Sequence, residues 1–227
     1  MQASSQDGVS VTNVSTGTSS ISVAAGTTLN ITDTVVGNER DGLDINATGG
    51  GNVSVVHNGS GAISVAGGNA LWLKAVNAGN IAVTLGNGIS LSVDNTNATS
   101  AASNHAGIHT RATGAGNTTV ESAATIQDRG TNAFGIYTEA GSGATSVSNT
   151  GAITTDGLNG FGIRSTAGGG AIDIRNAGAI TTTGPGAHGI YANAATATNT
   201  GISVDNQGLL TVGSATEVAG ARPLGQS

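Results

Sequence analysis

Apolar residues recur along the chain in short groups, which small polar residues and glycine separate. From residue 108 onward each unit begins with a Gly-Ile pair, whose isoleucines are Ile108, Ile136, Ile163 and Ile190. Two further apolar groups follow each pair, and apolar and polar residues alternate within a group, as in IDIR at 172–175. Alternation with a period of two is typical of a β-strand with one buried face. The pattern therefore predicts three strands per unit and no helix.

The apolar groups of successive units align into three columns. The first column is Ile45, Leu73, Ile108, Ile136, Ile163 and Ile190; the second is Val55, Val83, Val120, Val147, Ile174 and Val204; the third is Ile63, Leu91, Ile126, Ile153, Ile180 and Leu210. A single unit cannot bury its own apolar face, whereas stacked units share one core. We therefore expect an all-β fold, a three-stranded parallel β-helix of about seven rungs of 27–35 residues.

Charged residues support this alignment. Outward slots are predicted for Lys74, Glu121, Arg164, Asp173, Arg175 and Asp205, and turns for Asp128, Arg129 and Asp156. No charged side chain is expected inside the solenoid. The repeat fades toward the amino terminus, so we expect an N-terminal cap and irregular first rung at 1–40. The repeats are expected over residues 41–219, followed by the truncated start of another rung or a tail at 220–227.

Asparagine and glycine occupy fixed positions between the strands. One column contains Asn149, Asn176 and Asn206, and the glycines Gly151, Gly178 and Gly208 follow two residues later. Stacked asparagine side chains can hydrogen-bond along the rod, and the glycines are expected to supply positive φ at a corner. A second column, Gly107, Gly135, Gly162 and Gly189, is expected to mark close backbone packing at the start of a strand.

Composition excludes several classes of function. The chain has no cysteine, so disulfides and cysteine-based metal sites are impossible. Its net charge of −6 with only seven Lys and Arg disfavours nucleic acid and acidic lipid surfaces as partners. No apolar run approaches the length of a membrane helix, so no direct membrane insertion is expected. The spacing of His57, His105, His109 and His188 is not that of a zinc site, and no metal or cofactor is expected.

The repeat resembles the passenger domains of Gram-negative type V autotransporters. Its consensus is Gly-Ile-x-(Thr/Ser/Asn)-x-Ala, a glycine-rich turn, then Val/Ile-x-Asn-x-Gly-x-Ile-Thr. The stretches that match best are NALWLKA at 69–75, NAFGIYTEA at 132–140 and AHGIYANA at 187–194, and the likeness covers roughly residues 40–212. It implies a right-handed β-helix, exported to the bacterial cell surface and anchored at the outer membrane through a C-terminal β-barrel that this sequence lacks.

The resemblance also implies a non-catalytic role as a cell-surface adhesin or self-association module. The expected partner is then a host-cell surface protein, a glycan or another copy of the chain. Two alternatives stay open. The segment is a stalk that presents a functional region elsewhere, or it is a carbohydrate-active β-helix enzyme that uses Asp173, Arg175 and Asp205, with Glu121 nearby. Such enzymes need acids and bases clustered on neighbouring rungs.

One outward column is rich in residues that anchor recognition sites. Its predicted members are Asn46, Lys74, His109, Tyr137, Arg164 and Tyr191, and Trp72 is expected on the same face. Aromatic and arginine side chains are enriched where proteins bind sugars or other proteins. The predicted ligand-binding residues are Trp72, Lys74, His109, Tyr137, Arg164 and Tyr191. The competing interpretation is that aromatic and cationic ladders stabilise one sheet.

Overall fold

The computed structural model describes residues 7–31, 40–96, 104–195 and 201–213. These residues form twenty-one β-strands and no helix. Every strand belongs to one of three parallel sheets, each of seven strands. Each sheet takes one strand from every rung, and a strand pairs with its counterpart three strands later in the chain. The predicted three-stranded parallel β-helix of about seven rungs is confirmed.

The strands are short and follow one another in groups of three. Rungs one to three contain β1 (Val9–Asn13), β2 (Ser19–Val23), β3 (Thr27–Ile31), β4 (Leu43–Ala47), β5 (Val53–His57), β6 (Gly61–Ala66), β7 (Leu71–Ala75), β8 (Ile81–Leu85) and β9 (Ile89–Asp94). Rungs four and five contain β10 (His105–Ala112), β11 (Thr118–Ser122), β12 (Thr125–Arg129), β13 (Ala133–Ala140), β14 (Thr145–Asn149) and β15 (Ile153–Asp156). Rungs six and seven contain β16 (Phe161–Ala167), β17 (Ile172–Asn176), β18 (Ile180–Thr183), β19 (His188–Ala194), β20 (Ile202–Asn206) and β21 (Leu210–Val212).

The second and third apolar columns have the predicted register, but the first is wrong at one step. Ile108 pairs with Leu71, and Leu73 pairs with Thr110. The sequence leaves this step open because Leu71 and Leu73 are both apolar and both face the interior. A two-residue shift keeps every side chain on its own side of the sheet. Only the neighbours across the strands change.

The apolar columns form one continuous interior. Buried leucine, isoleucine and valine side chains from all three sheets pack together along the rod. One prediction about this interior is wrong, because Asp128 lies in β12 with 0 % exposure instead of in a turn. Its neighbours across the strands are the buried residues Val93 and Thr155. Arg129 and Asp156 also end strands instead of lying in turns, and both are exposed.

The asparagine ladder forms as predicted. The Nδ2 of Asn149 donates to the Oδ1 of Asn176 at 2.8 Å, and Asn176 donates to Asn206 at 2.7 Å. The positive φ predicted for Gly151, Gly178 and Gly208 beside this ladder is wrong, since none of the three has one. Close approach requires them instead, because a methyl group at Gly178 would overlap the carbonyl oxygen of Gly151 on the previous rung.

The amino-terminal part of the described chain joins the solenoid directly. Strands β1, β2 and β3 pair in parallel with β4, β5 and β6. The cap proposed for residues 1–40 stays a prediction. Residues 1–6, 32–39 and 214–227 lie outside the described part, and so does the predicted tail at 220–227.

Candidate functional site

The outer face of the first sheet carries most of the aromatic residues because of a glycine in each of its long strands. A methyl group at Gly135 would overlap the Cγ2 of Ile153, so this position faces the interior. Ile136 is also buried in the interior. With two consecutive residues facing inward, both Phe134 and Tyr137 lie on the outer face, where their rings stack. The prediction that this glycine column marks close packing is confirmed.

The aromatic side chains form a ladder along the rod. The ring centroids of Trp72 and His109 are 4.1 Å apart, and those of His109 and Tyr137 are 4.6 Å apart. The guanidinium of Arg164 continues the ladder at 4.8 Å from the centroid of Tyr137 and 5.8 Å from that of Tyr191. These separations match the spacing of neighbouring strands, about 4.8 Å. The ladder therefore follows directly from the register of the first sheet.

A second row of rings packs beside this ladder. Phe134 stacks on Phe161 at 5.3 Å, and Phe161 stacks on His188 at 4.9 Å. Phe134 is only 1 % exposed and Tyr137 only 5 %, and they form an apolar cluster separate from the interior core. Neighbouring rings and Arg164 cover the faces of the central rings. A sugar therefore cannot stack on the face of Tyr137 without displacing a neighbour.

The predicted site residues fall into two adjacent columns. Trp72, His109, Tyr137, Arg164 and Tyr191 occupy one column, in which Ser10 and Asp44 precede Trp72. The prediction that Lys74 and Asn46 belong to this column is wrong, because the register between β7 and β10 differs by two residues from the predicted one. They belong to a second outward column of Asn46, Lys74, Arg111, Glu139, Thr166 and Asn193. A ligand-binding role for the six predicted residues stays a prediction.

Sequence reasoning missed most of this second column, which we call the polar column. Its signal is present in the sequence, because each member from Lys74 to Asn193 precedes one of the alanines Ala75, Ala112, Ala140, Ala167 and Ala194. Those alanines pair with one another across the strands. Aligning the units on the alanine instead of the isoleucine would have found the polar column.

Electrostatic contacts join the two columns at Glu139. The Oε1 of Glu139 lies 2.9 Å from the Nε2 of His109, and its Oε2 lies 4.0 Å from the Nε of Arg111. Burial lowers the pKa of His109, so the imidazole is neutral near pH 7 and donates to the carboxylate. Burial also opposes ionisation of Glu139, but the hydrogen bond from His109 and the nearby arginines leave its pKa below the usual value. Glu139 is therefore an anion with its main partner already in place.

An open groove of about 320 Å³ runs along the polar column over rungs four to seven. Its polar lining is Arg111, Thr113, Glu139, Thr166 and Asn193, while Gly141 and Gly168 are among its small residues. Small residues at the same place in successive rungs leave room beside the larger side chains of the first sheet. The groove can accept an extended ligand that lies parallel to the rod axis.

The candidate catalytic residues Asp173, Arg175 and Asp205 lie on the second sheet, in strands β17 and β20. The Nη2 of Arg175 is 3.2 Å from the Oδ2 of Asp173, with the Arg175 side chain 71 % exposed. Asp205 pairs in register with Arg175 and accepts a hydrogen bond from Gln207. Within residues 7–31, 40–96, 104–195 and 201–213, no group of three or more His, Asp or Glu residues is placed to hold a metal ion.

The fold and the surface together define a parallel β-helix repeat protein with an open groove on its first sheet. No protein-family model, curated protein or solved structure matches the chain. In the described part of the chain, no helix has the length and apolar character needed to cross a membrane.

Proposed function

We propose that this chain is a non-catalytic recognition segment of a bacterial cell-surface protein, which acts as an adhesin or in self-association. The family we favour is the type V autotransporter passengers, with the segment displayed outside the outer membrane. The repeat pattern supports this family, and the stacked β-helix is the fold that the pattern implies. The polar groove supports recognition more directly, because some of its polar side chains, such as that of Asn193, are exposed to solvent.

The groove is the observation that carries the proposal. Thr166 and Asn193 line it from adjacent strands, and Asn193 is exposed. Hydrogen-bonding side chains on a rigid sheet can bind a partner with little loss of conformational entropy. By contrast, the Asp173 and Arg175 pair is open to solvent and lacks the enclosed geometry that acid–base catalysis needs.

Filling the groove tests the proposal. The wild-type chain, coupled to beads, is expected to cluster the beads or attach them to host epithelial cells. Thr166→Trp places a large ring in the groove and should reduce clustering or attachment by about tenfold. Thr181→Trp is the matched control, because Thr181 is an outward threonine of the same rung on the third sheet.

Each outcome has a clear meaning. Loss of attachment with Thr166→Trp alone supports recognition through the groove. Equal attachment by wild type and both variants would contradict a role for the groove. If the wild-type chain neither clusters beads nor attaches them to cells, the adhesin proposal fails and the stalk hypothesis replaces it. Circular dichroism of both variants verifies that the β-helix is intact.

A further inference from the structure

Two cationic side chains are neighbours at the start of the polar column. Lys74 and Arg111 pair directly in register across β7 and β10, which places their backbones about 4.8 Å apart. Like charges at directly opposed positions destabilise a sheet. The chain as a whole has a net charge of −6 and only seven Lys and Arg, so two adjacent cations are unusual in it.

Among the described residues, one carboxylate forms an ion pair with either of these cations, that of Glu139 with Arg111. The residue on the other side of Lys74 is Asn46, and Lys74 has no ion pair among the described residues. On the far side of Arg111 lies Glu139, whose carboxylate is hydrogen-bonded to His109 at 2.9 Å and lies 4.0 Å from Arg111. The side chain of Arg111 is 51 % exposed. Lys74 is therefore available to an anion from solution, and so is the exposed part of the Arg111 side chain beside it.

The groove extends from Arg111 away from Lys74. Arg111 lines it on rung four, Glu139 on rung five, and Thr166 and Asn193 on rungs six and seven. We propose that Lys74 and Arg111 bind the carboxylate or sulfate groups of an acidic polysaccharide, whose chain continues along the groove past Thr166 and Asn193. This inference rests on the proposed recognition function and names the class of its ligand.

The spacing of the rungs favours a polysaccharide over a peptide. Polar side chains repeat along the axis about every 4.8 Å, which is close to the length of one sugar unit in an extended polysaccharide. An extended peptide advances about 3.3 Å per residue and presents the same side every second residue, so its repeat does not match. Nucleic acid needs a broad basic surface, which a chain of net charge −6 does not provide.

Direct binding measurements test the inference. The probes are hyaluronan and heparin oligosaccharides, with dextran as the neutral polysaccharide and inorganic sulfate as the free anion. We expect the wild-type chain to bind at least one of the two acidic oligosaccharides, with an affinity that falls as salt rises from about 50 to 200 mM. Dextran is not expected to bind. Binding of dextran with equal affinity would overturn the inference, and so would sulfate binding without oligosaccharide binding.

Charge-neutralising variants locate the site. Lys74→Gln with Arg111→Gln should weaken oligosaccharide binding by about tenfold or more and flatten its salt dependence. The same pair should melt at the wild-type temperature or slightly above it, because the like-charge contact is removed. Arg175→Gln is the control, since Arg175 is an exposed arginine on the second sheet. Equal binding by the double variant and the wild type would overturn the inference.

The two proposals fail separately. Attachment that Thr166→Trp abolishes, without binding to either acidic oligosaccharide, would overturn the ligand class and leave the recognition function standing. Oligosaccharide binding that depends on Lys74 and Arg111, without bead clustering or cell attachment, would support the ligand class and contradict the adhesin proposal.

Discussion

Rungs two and three and rungs four to six have the same backbone arrangement but different interiors. In rungs two and three nearly every inward side chain is aliphatic, with the fully buried His57 as the exception. In rungs four to six several inward positions are polar, namely Thr110, Thr118, Asp128, Thr138, Thr145, Thr155, Ser165 and Thr182. The register of the stacked strands therefore defines this fold more than the apolar character of each inward position does.

The polar interior is only partly hydrogen-bonded. The Ser165 hydroxyl lies 2.7 Å from that of Thr138 and 2.6 Å from that of Thr145. Among the described residues, the hydroxyls of Thr110 and Thr155 have no partner. Rungs four to six also carry the apolar cluster outside the first sheet. We infer that this outer cluster offsets the weaker interior of these rungs.

The outer cluster should give the largest effect. Phe134→Ala removes a side chain with 1 % exposure that stacks on Tyr137 and Phe161. We expect it to lower the free energy of unfolding by about 3–5 kcal/mol, measured by urea denaturation. Phe161→Ala removes a less buried ring and should cost less. A loss below about 1 kcal/mol for Phe134→Ala would contradict the compensating role.

The interior difference can be tested at one pair of positions. Leu73 and Thr110 are register partners and both are fully buried. Leu73→Ala should lower the free energy of unfolding by about 2–5 kcal/mol because it opens a cavity. Thr110→Val, which removes a hydroxyl without a partner, should leave stability unchanged or raise it. Strong destabilisation by Thr110→Val would show that this hydroxyl has a role the structure does not explain.

The rod contains two kinds of asparagine ladder, one buried and one exposed. Asn176 bonds to both neighbouring asparagines inside the rod, whereas Asn117 belongs to an exposed ladder with Asn80. Asn176→Ala should cost about 1–3 kcal/mol because it leaves buried amide groups without partners. Asn117→Ala should cost less, since water can replace its contacts. Melting temperatures provide the check, and equal losses would contradict the distinction between buried and exposed ladders.

Asp128 gives an expected effect that depends on pH. Burial raises its pKa well above the usual value, so it stays protonated in the folded state while the unfolded chain ionises near pH 3.8. Its contribution is therefore fully present below that pH and is lost as pH rises toward the folded-state pKa. Asp128→Asn should match wild type near pH 4 and be more stable by about 1–3 kcal/mol near pH 7.5.

The comparison between Asp128→Asn and wild type at each pH isolates this carboxyl from other groups. His109 acts in the opposite direction, since its lowered pKa makes folding less favourable as pH falls. Asp41 acts in the same direction as Asp128, because burial raises its pKa to about 7. A stability difference that does not change with pH would contradict the burial of a protonated Asp128.

The sequence predicts those parts of the fold that repeat locally. Three strands per unit, the second and third columns and the Asn149 ladder follow from alternation and spacing alone. The register across the insertion before β10 does not follow from alternation and spacing, because Leu71 and Leu73 are both apolar and either could pair with Ile108. The interior position of Asp128 was missed since a charge is normally excluded from a core.

The candidate site was predicted only in outline. The sequence identified the correct sheet and the aromatic column, because so few large side chains occur elsewhere. It did not predict that Phe134 would lie on the same face as Tyr137, which depends on Gly135 and Ile136 both facing the interior. Nor did it identify Arg111 and Asn193, because these residues lie two positions beyond the residue that directly follows each isoleucine, which is where the recognition column was predicted.

The central claim is that the aromatic column stabilises the rod while the adjacent polar column is free to bind. Urea unfolding of Tyr137→Ala beside Arg111→Ala tests this most directly. Tyr137 is 5 % exposed and Arg111 is about half exposed. We predict a loss of about 2–4 kcal/mol for Tyr137→Ala and a change within about 0.5 kcal/mol for Arg111→Ala. Wild-type stability of Tyr137→Ala would contradict the claim and favour the aromatic column as the recognition surface.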